Sequence, residues 1–438
     1  MNKENQKEIK AQKSDVFENS FKVELIDSCT IENGIISLSE DEKTQAELTY
    51  LELNEYPSFF IPASGSGSRM FKFLFEWLKD KIDTEDVQSF FNNAEKLPFF
   101  SSLVTNIIDK EDFVNEVLQK FSELPKGLIP FFNSDGASQT SFQAQIRQSK
   151  QLAGEKVKIH FTVQRSFLTK IEENISEKLA NISFSFQDEL TNSFCFHENQ
   201  ELVIENGDEL RRPAGHGALL NNLNAVQGDL ILMKNIDNIQ DESSSLATIS
   251  AWKQTIGVLI LFKKDLKKLM DNFTTKGLVE INDKYQFLSK EEEANFSSED
   301  LKLICNRPTR VCGMVTNEGE PGGGPFWIKD SNGITKQIIE KAQFKEDENQ
   351  SEIIKRSSHF NPVFIALSKT NIHDEPLDLM SFRDDSKFFI VKKSHKGKEI
   401  LYRELPGLWN GSMSNWNTLF LKVSSNVFTP VKSVLDLI

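Results

Sequence analysis

This chain has little cysteine, little tyrosine and no long apolar run. Its four cysteines (Cys29, Cys195, Cys305, Cys312) form no Cys-x-x-Cys pair and have no histidines at zinc-finger spacing. That excludes a zinc module or a disulfide scaffold and leaves reduced, buried thiols as the expectation. The longest apolar stretch, residues 256–262, is too short to cross a bilayer. Residues 1–22 are polar and charged, without the apolar centre of a secretory signal. A cytoplasmic protein with no membrane partner is expected. Basic charge is also scarce: 51 Lys and Arg stand against 65 Asp and Glu, a formal net charge of −14. Non-specific nucleic-acid binding is thereby disfavoured. No Gly-Lys-Ser/Thr tripeptide and no Asp-Phe-Gly occurs, so the Walker and protein-kinase phosphate sites are excluded. The chain has no internal repeat and no low-complexity tract.

Phenylalanine is abundant, with 35 residues against four tyrosines, which implies large aromatic cores. At 438 residues the chain is long enough for two or three domains. Residues 1–55 read as a helical accessory segment. From residue 56 the pattern alternates, with strands expected at 58–63, 157–163, 182–186 and 229–236. Helices are expected at 69–81, 83–123, 166–179 and 217–226. Strands alternating with helices imply an α/β fold with a mostly parallel sheet. The main domain is placed at 56–350. Short strands and turns from 351 to 438 form a smaller C-terminal α+β unit.

The most informative stretch is Phe59-Phe60-Ile61-Pro62-Ala63-Ser64-Gly65-Ser66-Gly67-Ser68-Arg69-Met70. It reads as strand, small-residue loop, helix. Such a loop exposes backbone N–H groups where a helix begins, which favours anions. Gly65 and Gly67 permit close backbone approach and positive φ, and Arg69 adds a planar cation. The loop, Ala63 to Arg69, is suited to a polyphosphate. It resembles the signature of sugar-nucleotide pyrophosphorylases, small-Gly-x-Gly-Thr/Ser-Arg-Met/Leu. Ser64 stands where that family usually has glycine, and Ser68 where threonine is commoner.

Three further segments follow in the order of that superfamily. Leu124-Pro125-Lys126-Gly127-Leu128-Ile129-Pro130 is similar to its Pro-Lys-x-Leu-x-Pro segment, and the resemblance implies that Lys126 contacts substrate phosphate. Pro213-Ala214-Gly215-His216-Gly217 followed by Asn235-Ile236-Asp237-Asn238 looks like the Pro-x-Gly-His-Gly-Asp and Asn-x-Asp-Asn pairing of UDP-sugar pyrophosphorylases. Ala218 replaces the aspartate common there. A Pro-Gly-His-Gly loop can present donors and acceptors to a base edge. Asp237 ends an apolar strand, where ligands of open α/β sheets bind, and a carboxylate there can hold Mg2+. His216 is read as a base-site or loop-positioning residue. In Asn317-Glu318-Gly319-Glu320-Pro321-Gly322-Gly323-Gly324 the glycines suit close approach of backbone to a sugar or phosphate, and the resemblance implies a glutamate, Glu318 or Glu320, on the sugar hydroxyls; Asn317 and Gly323 are further sugar-binding candidates. It also implies that a lysine in a later strand, Lys392 or Lys393, neutralises phosphates, and Lys393 is taken as the site residue. The whole chain is similar to a bacterial family catalogued only as a domain of unknown function.

The resemblance implies a Rossmann-like sheet of the nucleotide-diphospho-sugar transferase type. It implies a Mg2+-dependent nucleotidyltransferase that makes an NDP-sugar and pyrophosphate from an NTP and a sugar 1-phosphate. The alternative is a non-catalytic nucleotide- or sugar-phosphate-binding protein on the same scaffold.

Overall fold

The computed structural model describes the chain apart from residues 1–2, 19–21, 104–108, 135–136, 176–180, 320–322, 331–332, 341–342, 345–346 and 361. It contains two compact units, each assembled from separated stretches of sequence. The first comprises Met1–Leu53, Gln187–Leu230 and Gln254–Val423, and the second Asn54–Phe186, Ile231–Lys253 and Ser424–Ile438.

The second unit is built on parallel strands. Leu230–Lys234, Ser58–Pro62, Ile159–Thr162 and Ile182–Ser185 lie side by side in that order. Phe59 is in register with both Leu232 and Ile159. The run Ser58-Phe59-Phe60-Ile61 is buried throughout, as a strand covered on both faces requires. His160 sits in this sheet with its ring stacked on Phe60 at 5.8 Å and its nitrogens bonded to Ser183 Oγ (2.8 Å) and Ser185 Oγ (2.7 Å). Burial lowers its pKa, so it stays neutral.

Helices cover the strands. Ser141–Ala153 starts at a capping box made by Thr140 and Gln143, and Lys110–Phe121 starts at Asp109, which accepts from the Asp112 N–H. A group of the phenylalanines gathers in one cluster here. Phe71, Trp77, Phe90, Phe99, Phe113, Phe121 and Phe131 form a core that also takes in Ile129, Ile239, Val431 and Val434. The Phe99 and Phe121 rings are 4.4 Å apart and Phe90 and Phe113 are 5.7 Å apart, close enough to add to plain burial.

In the first unit, Gly34–Ile36, Asn417–Lys422 and Thr309–Met314 run parallel, and Phe364–Ser368 pairs antiparallel with Thr309–Met314. A separate antiparallel sheet joins Glu24–Ser28, Gly324–Asp330 and Gly333–Ile339. The N-terminal stretch, expected to be helical, has helices Lys3–Phe17 and Glu40–Leu51 but also three short strands between them. Strands of two to five residues offer too few alternations to register as a period in sequence. The fold is thus mixed α/β and mostly parallel in its main sheets.

Ser245–Asp271 is a single helix, long and apolar enough by length and composition to cross a membrane. Its apolar window is 61% buried within the protein's own fold, as in a core helix. The longest uninterrupted apolar run hid this, because polar residues punctuate the helix. All four cysteines are buried free thiols. Burial pushes Cys195 and Cys312 up to about 11 and Cys305 up to about 12, so none is reactive.

Candidate functional site

The glycine loop leaves the Ser58–Pro62 strand and enters a 3-10 turn, Ser68–Phe71, that runs on into helix Lys72–Asp80. Its two ends are fixed. The Ala63 N–H donates to Thr162 O at 2.8 Å, and Gln164 Nε2 donates to Ser64 O at 2.6 Å. Met70 and Phe71 are buried behind the turn. Between these anchors, the N–H groups of Ser64, Gly65 and Ser66 take no partner among the described residues. Successive free N–H groups form a concavity suited to an anion. Arg69 is exposed, and no carboxylate among the described residues holds its guanidinium.

The two loop glycines permit positive φ but do not use it. Gly67 has φ −73°, and Gly65 is not among the left-handed glycines. The need at Gly67 is space. A Cβ there would stand 2.6 Å from Ile129 Cδ1 and 3.0 Å from Leu124 O. At Gly65 a Cβ would meet nothing within 4 Å. The fold therefore asks for glycine at 67 and leaves 65 open.

Lys126 is delivered to this loop by backbone pairing. The Gly67 N–H donates to Leu124 O at 2.9 Å, and the Lys126 N–H donates to Gly65 O at 3.0 Å. The Lys126 ammonium then donates to Asp237 Oδ2 at 3.0 Å and Val431 O at 2.7 Å. Asp237 follows the Leu230–Lys234 strand in a loop gripped by helix Ser141–Ala153. Gln145 Nε2 donates to the carbonyls of Asn235 and Ile236, both at 3.1 Å, and Ser141 Oγ also donates to Ile236 O. A second ammonium, Lys432 Nζ, lies 3.3 Å from the same Asp237 Oδ2. Glycine loop, Lys126 and Asp237 are thus one connected cluster within the second unit.

A divalent cation at Asp237 was expected from the sequence. Both lysine contacts fall on its Oδ2, and no group of three His, Cys, Asp or Glu gathers among the described residues. Magnesium manages with one or two carboxylates when phosphates and water supply the rest. The single carboxylate of Asp237 fits such a cation only where other donors complete its shell.

The remaining expected residues lie in the first unit. Gly215 adopts φ +73°, and a Cβ on Gly217 would stand 2.1 Å from Pro406 O. His216 Nδ1 accepts the Leu408 N–H at 2.9 Å, with its ring 5.1 Å from Trp409. Desolvation lowers the His216 pKa to about 4, so the ring is neutral and holds the 405–409 segment. Pro213 is exposed at the start of this loop. Asn317 and Gly323 line a cavity of about 440 Å3 together with Gly324, Ser357 and His359. Glu318 is exposed beside it in sequence; Glu320 lies outside the described residues. His359 is 3% exposed, with Nδ1 2.9 Å from Ser358 Oγ and Nε2 without a partner among the described residues. Lys393 is exposed on the Phe389–His395 hairpin strand, its ammonium 5.5 Å from the centre of the Tyr402 ring.

Against this geometry, comparison with known families gives one match over residues 1–438, to the family described as "Domain of unknown function (DUF4301)". The chain belongs to the DUF4301 family. No curated protein matches the sequence. Among solved structures, this DUF4301 chain is similar to a mutant UDP-glucose pyrophosphorylase from Leishmania major in complex with UDP-glucose. That match has 12% identity and a TM-score of 0.47, covering 100% of this chain and 75% of the other. It is similar to UDP-glucose phosphorylase from Trypanosoma brucei, at 12% identity and TM-score 0.43, covering 96% and 69%. A third is the inositol-1-phosphate CTP transferase from T. maritima, at 9% identity and TM-score 0.34, covering 85% and 87%.

One residue of the DUF4301 chain escaped the sequence reading. Lys432 reaches Asp237 across 195 residues of sequence, from a Pro-Val-Lys-Ser segment with no recognisable pattern. His359 belongs to Ser357-Ser358-His359-Phe360-Asn361-Pro362, a polar loop that the sequence offers as a candidate cleft segment.

Proposed function

We propose that the protein is a nucleotidyltransferase that joins an NTP to a sugar 1-phosphate, giving an NDP-sugar and pyrophosphate. One observation carries the reading: the glycine loop, Lys126 and Asp237, far apart in sequence, form a single hydrogen-bonded cluster at the carboxyl ends of parallel strands. A phosphate oxygen of the sugar 1-phosphate attacks the α-phosphorus in line. The bond from the α-phosphorus to the bridging oxygen breaks, and pyrophosphate leaves with that electron pair. The chain has no covalent step to perform, so it acts by positioning and by neutralising charge.

The N–H groups of Ser64, Gly65 and Ser66 and the Arg69 guanidinium hold the β- and γ-phosphates that depart. Lys126 steadies the α-phosphate, and Asp237 fixes the direction of its ammonium. Mg2+, when bound with the nucleotide, would take Asp237 as its protein ligand and supply further neutralisation of phosphate charge. Asn317, Glu318, Glu320 and Gly323 as sugar contacts and the His216 loop as a base contact are kept on resemblance alone. Lys393 is kept as a further phosphate contact on resemblance alone. Four buried reduced thiols suit the cytoplasm, where these substrates occur.

The test is pyrophosphate release across the four NTPs and a panel of sugar 1-phosphates with Mg2+. At least one pair is expected to turn over, and Arg69→Ala and Asp237→Ala are expected to abolish it. Turnover by no pair, or retained turnover in both variants, rejects the assignment. The occupation of Asp237 by two ammoniums favours one rival, a nucleotide-binding protein without turnover. It would show saturable NTP binding and no pyrophosphate.

A further inference from the structure

The stretch Ser424–Ile438 belongs to the second unit and is tied down along its length. Asn238 holds it from both sides: its Nδ2 donates to Val427 O at 3.2 Å, and its Oδ1 accepts the Thr429 N–H at 2.9 Å. Gln240 Nε2 donates to Val427 O at 3.1 Å and Thr429 Oγ1 at 2.9 Å. The Val431 N–H donates to Asp237 O at 3.0 Å. Val431 and Val434 are buried in the aromatic core. Beyond them, Asp436 accepts the N–H groups of Lys432 and Ser433, each at 2.7 Å.

The backbone of Lys432 is therefore fixed on both flanks, yet its side chain is 65% exposed. Its ion pair with Asp237 is one that solvent screens, so it contributes little to stability. The arrangement instead gathers two ammoniums on one carboxylate oxygen, with the Asp436 carboxylate held on the backbone behind Lys432, beside an anion nest whose N–H groups have no partner among the described residues.

We infer that Lys432 is a polyphosphate ligand of the proposed active site and that the C-terminal segment exists to present it. Asp237 is the positioning residue for both ammoniums. Its carboxylate keeps Lys126 and Lys432 adjacent without mutual repulsion until a polyanion spans them. This rests on the reading that the glycine loop and Lys126 hold the nucleotide's phosphates.

The test uses the full chain with inorganic tripolyphosphate as probe, without metal, by titration calorimetry and melting temperature. Wild type is expected to bind saturably. Lys432→Ala is expected to weaken binding about tenfold, the loss of one charge-assisted hydrogen bond. It should also reduce the salt dependence of binding and leave the melting temperature unchanged. Lys432→Arg should restore binding, and removal of an exposed charge elsewhere, Lys79→Ala, should do nothing. If Arg69→Ala and Lys126→Ala lose binding while Lys432→Ala does not, the inference fails and the active-site reading stands. If Lys432→Ala lowers the melting temperature and Lys432→Arg fails to restore binding, the residue is a structural latch and the inference again fails. If wild type does not bind, or Arg69→Ala and Lys126→Ala bind as wild type, the active-site reading fails and takes the inference with it.

Discussion

Three buried cations of the first unit and three cations around the glycine loop of the second are held in opposite ways. In the first unit, Arg310, Lys336 and Lys387 are buried and committed, as Lys234 is in the second. Arg310 is fully buried and donates to Thr418 Oγ1 (2.9 Å) and Trp409 O (2.6 Å). Lys336 donates to Gly34 O at 3.0 Å, and desolvation brings its pKa down to about 8. Lys387 meets Asp330 at 2.6 Å. Each of these ties one strand or loop to another. In the second unit, Arg69 and Lys432 are exposed, and Lys126 is paired at the edge of an open loop. Buried cations bonded to fixed acceptors hold structure. Cations left facing solvent beside free N–H groups are available to a ligand. The contrast separates architecture from chemistry more clearly than the sequence motifs do, since both units contributed motif residues.

Substitutions should break the comparison in order of burial. Arg310→Met is expected to cost the most. It strands the Trp409 carbonyl and the Thr418 hydroxyl in an apolar interior, so a loss of about 3 kcal/mol is expected in urea denaturation. Arg310→Lys should recover little, because one ammonium cannot reproduce the guanidinium fork. A loss below about 1 kcal/mol would remove Arg310 from the architectural group.

Next comes a pH effect at His216. Its folded pKa of about 4 lies below the ordinary 6.5. Between those values the unfolded chain binds a proton that the native chain does not. Stability therefore rises with pH through that window and is lost on acidification from 6.5 toward 4. The residue as a whole keeps partial exposure although its ring lies deep, so the full shift sets an upper limit of about 3 kcal/mol. The readout is the difference between wild type and His216→Gln in denaturation at pH 7 and pH 5, and the variant's pH slope should be flatter. Equal slopes would show that His216 is protonated in place and does not hold Leu408 as a neutral acceptor.

Lys126→Met belongs to the other unit and should behave differently. Two acceptors lose a donor at the edge of the fold, which costs about 1 kcal/mol. Pyrophosphate release should fall about 100-fold or more, as when a preorganised donor is removed from a developing charge. A large loss of stability with proportionate loss of activity would place Lys126 with Arg310 and dissolve the contrast.

Much of the second unit was legible because its logic is local. An apolar strand running into Ala63-Ser64-Gly65-Ser66-Gly67-Ser68-Arg69 predicts strand, loop and helix from consecutive residues, and the structure has all three. Lys126 and Asp237 could be singled out by pattern, but only the parallel register shows them in contact. Lys432 could not be singled out at all. Its meeting with Asp237 depends on chain reversal through Asn238 and Gln240, which no periodicity encodes. The demand on the glycines is hidden in the same way. The sequence shows that close approach and left-handed backbone are permitted at 65 and 67, but a clash at Gly67 depends on Ile129 and Leu124, which approach only through tertiary pairing.

That clash allows the finest test, with the smallest effect on the fold. Gly65 has ordinary φ and open space around its missing Cβ. Gly65→Ala should leave stability within about 0.5 kcal/mol of wild type, since nothing is displaced and the unfolded chain loses some freedom. Gly67→Ala should be measurably less stable, because Ile129 or the Leu124 carbonyl must move. Tripolyphosphate binding should fall in both, for different reasons. At Gly65 the new methyl stands where an anion must come within hydrogen-bond reach of the N–H groups of Ser64, Gly65 and Ser66. Gly65→Val should then weaken binding further than Gly65→Ala with the melting temperature still unchanged. A glycine that the fold does not need and the ligand does is the signature expected of a phosphate loop. Full affinity in Gly65→Val would show instead that the anion never approaches this backbone.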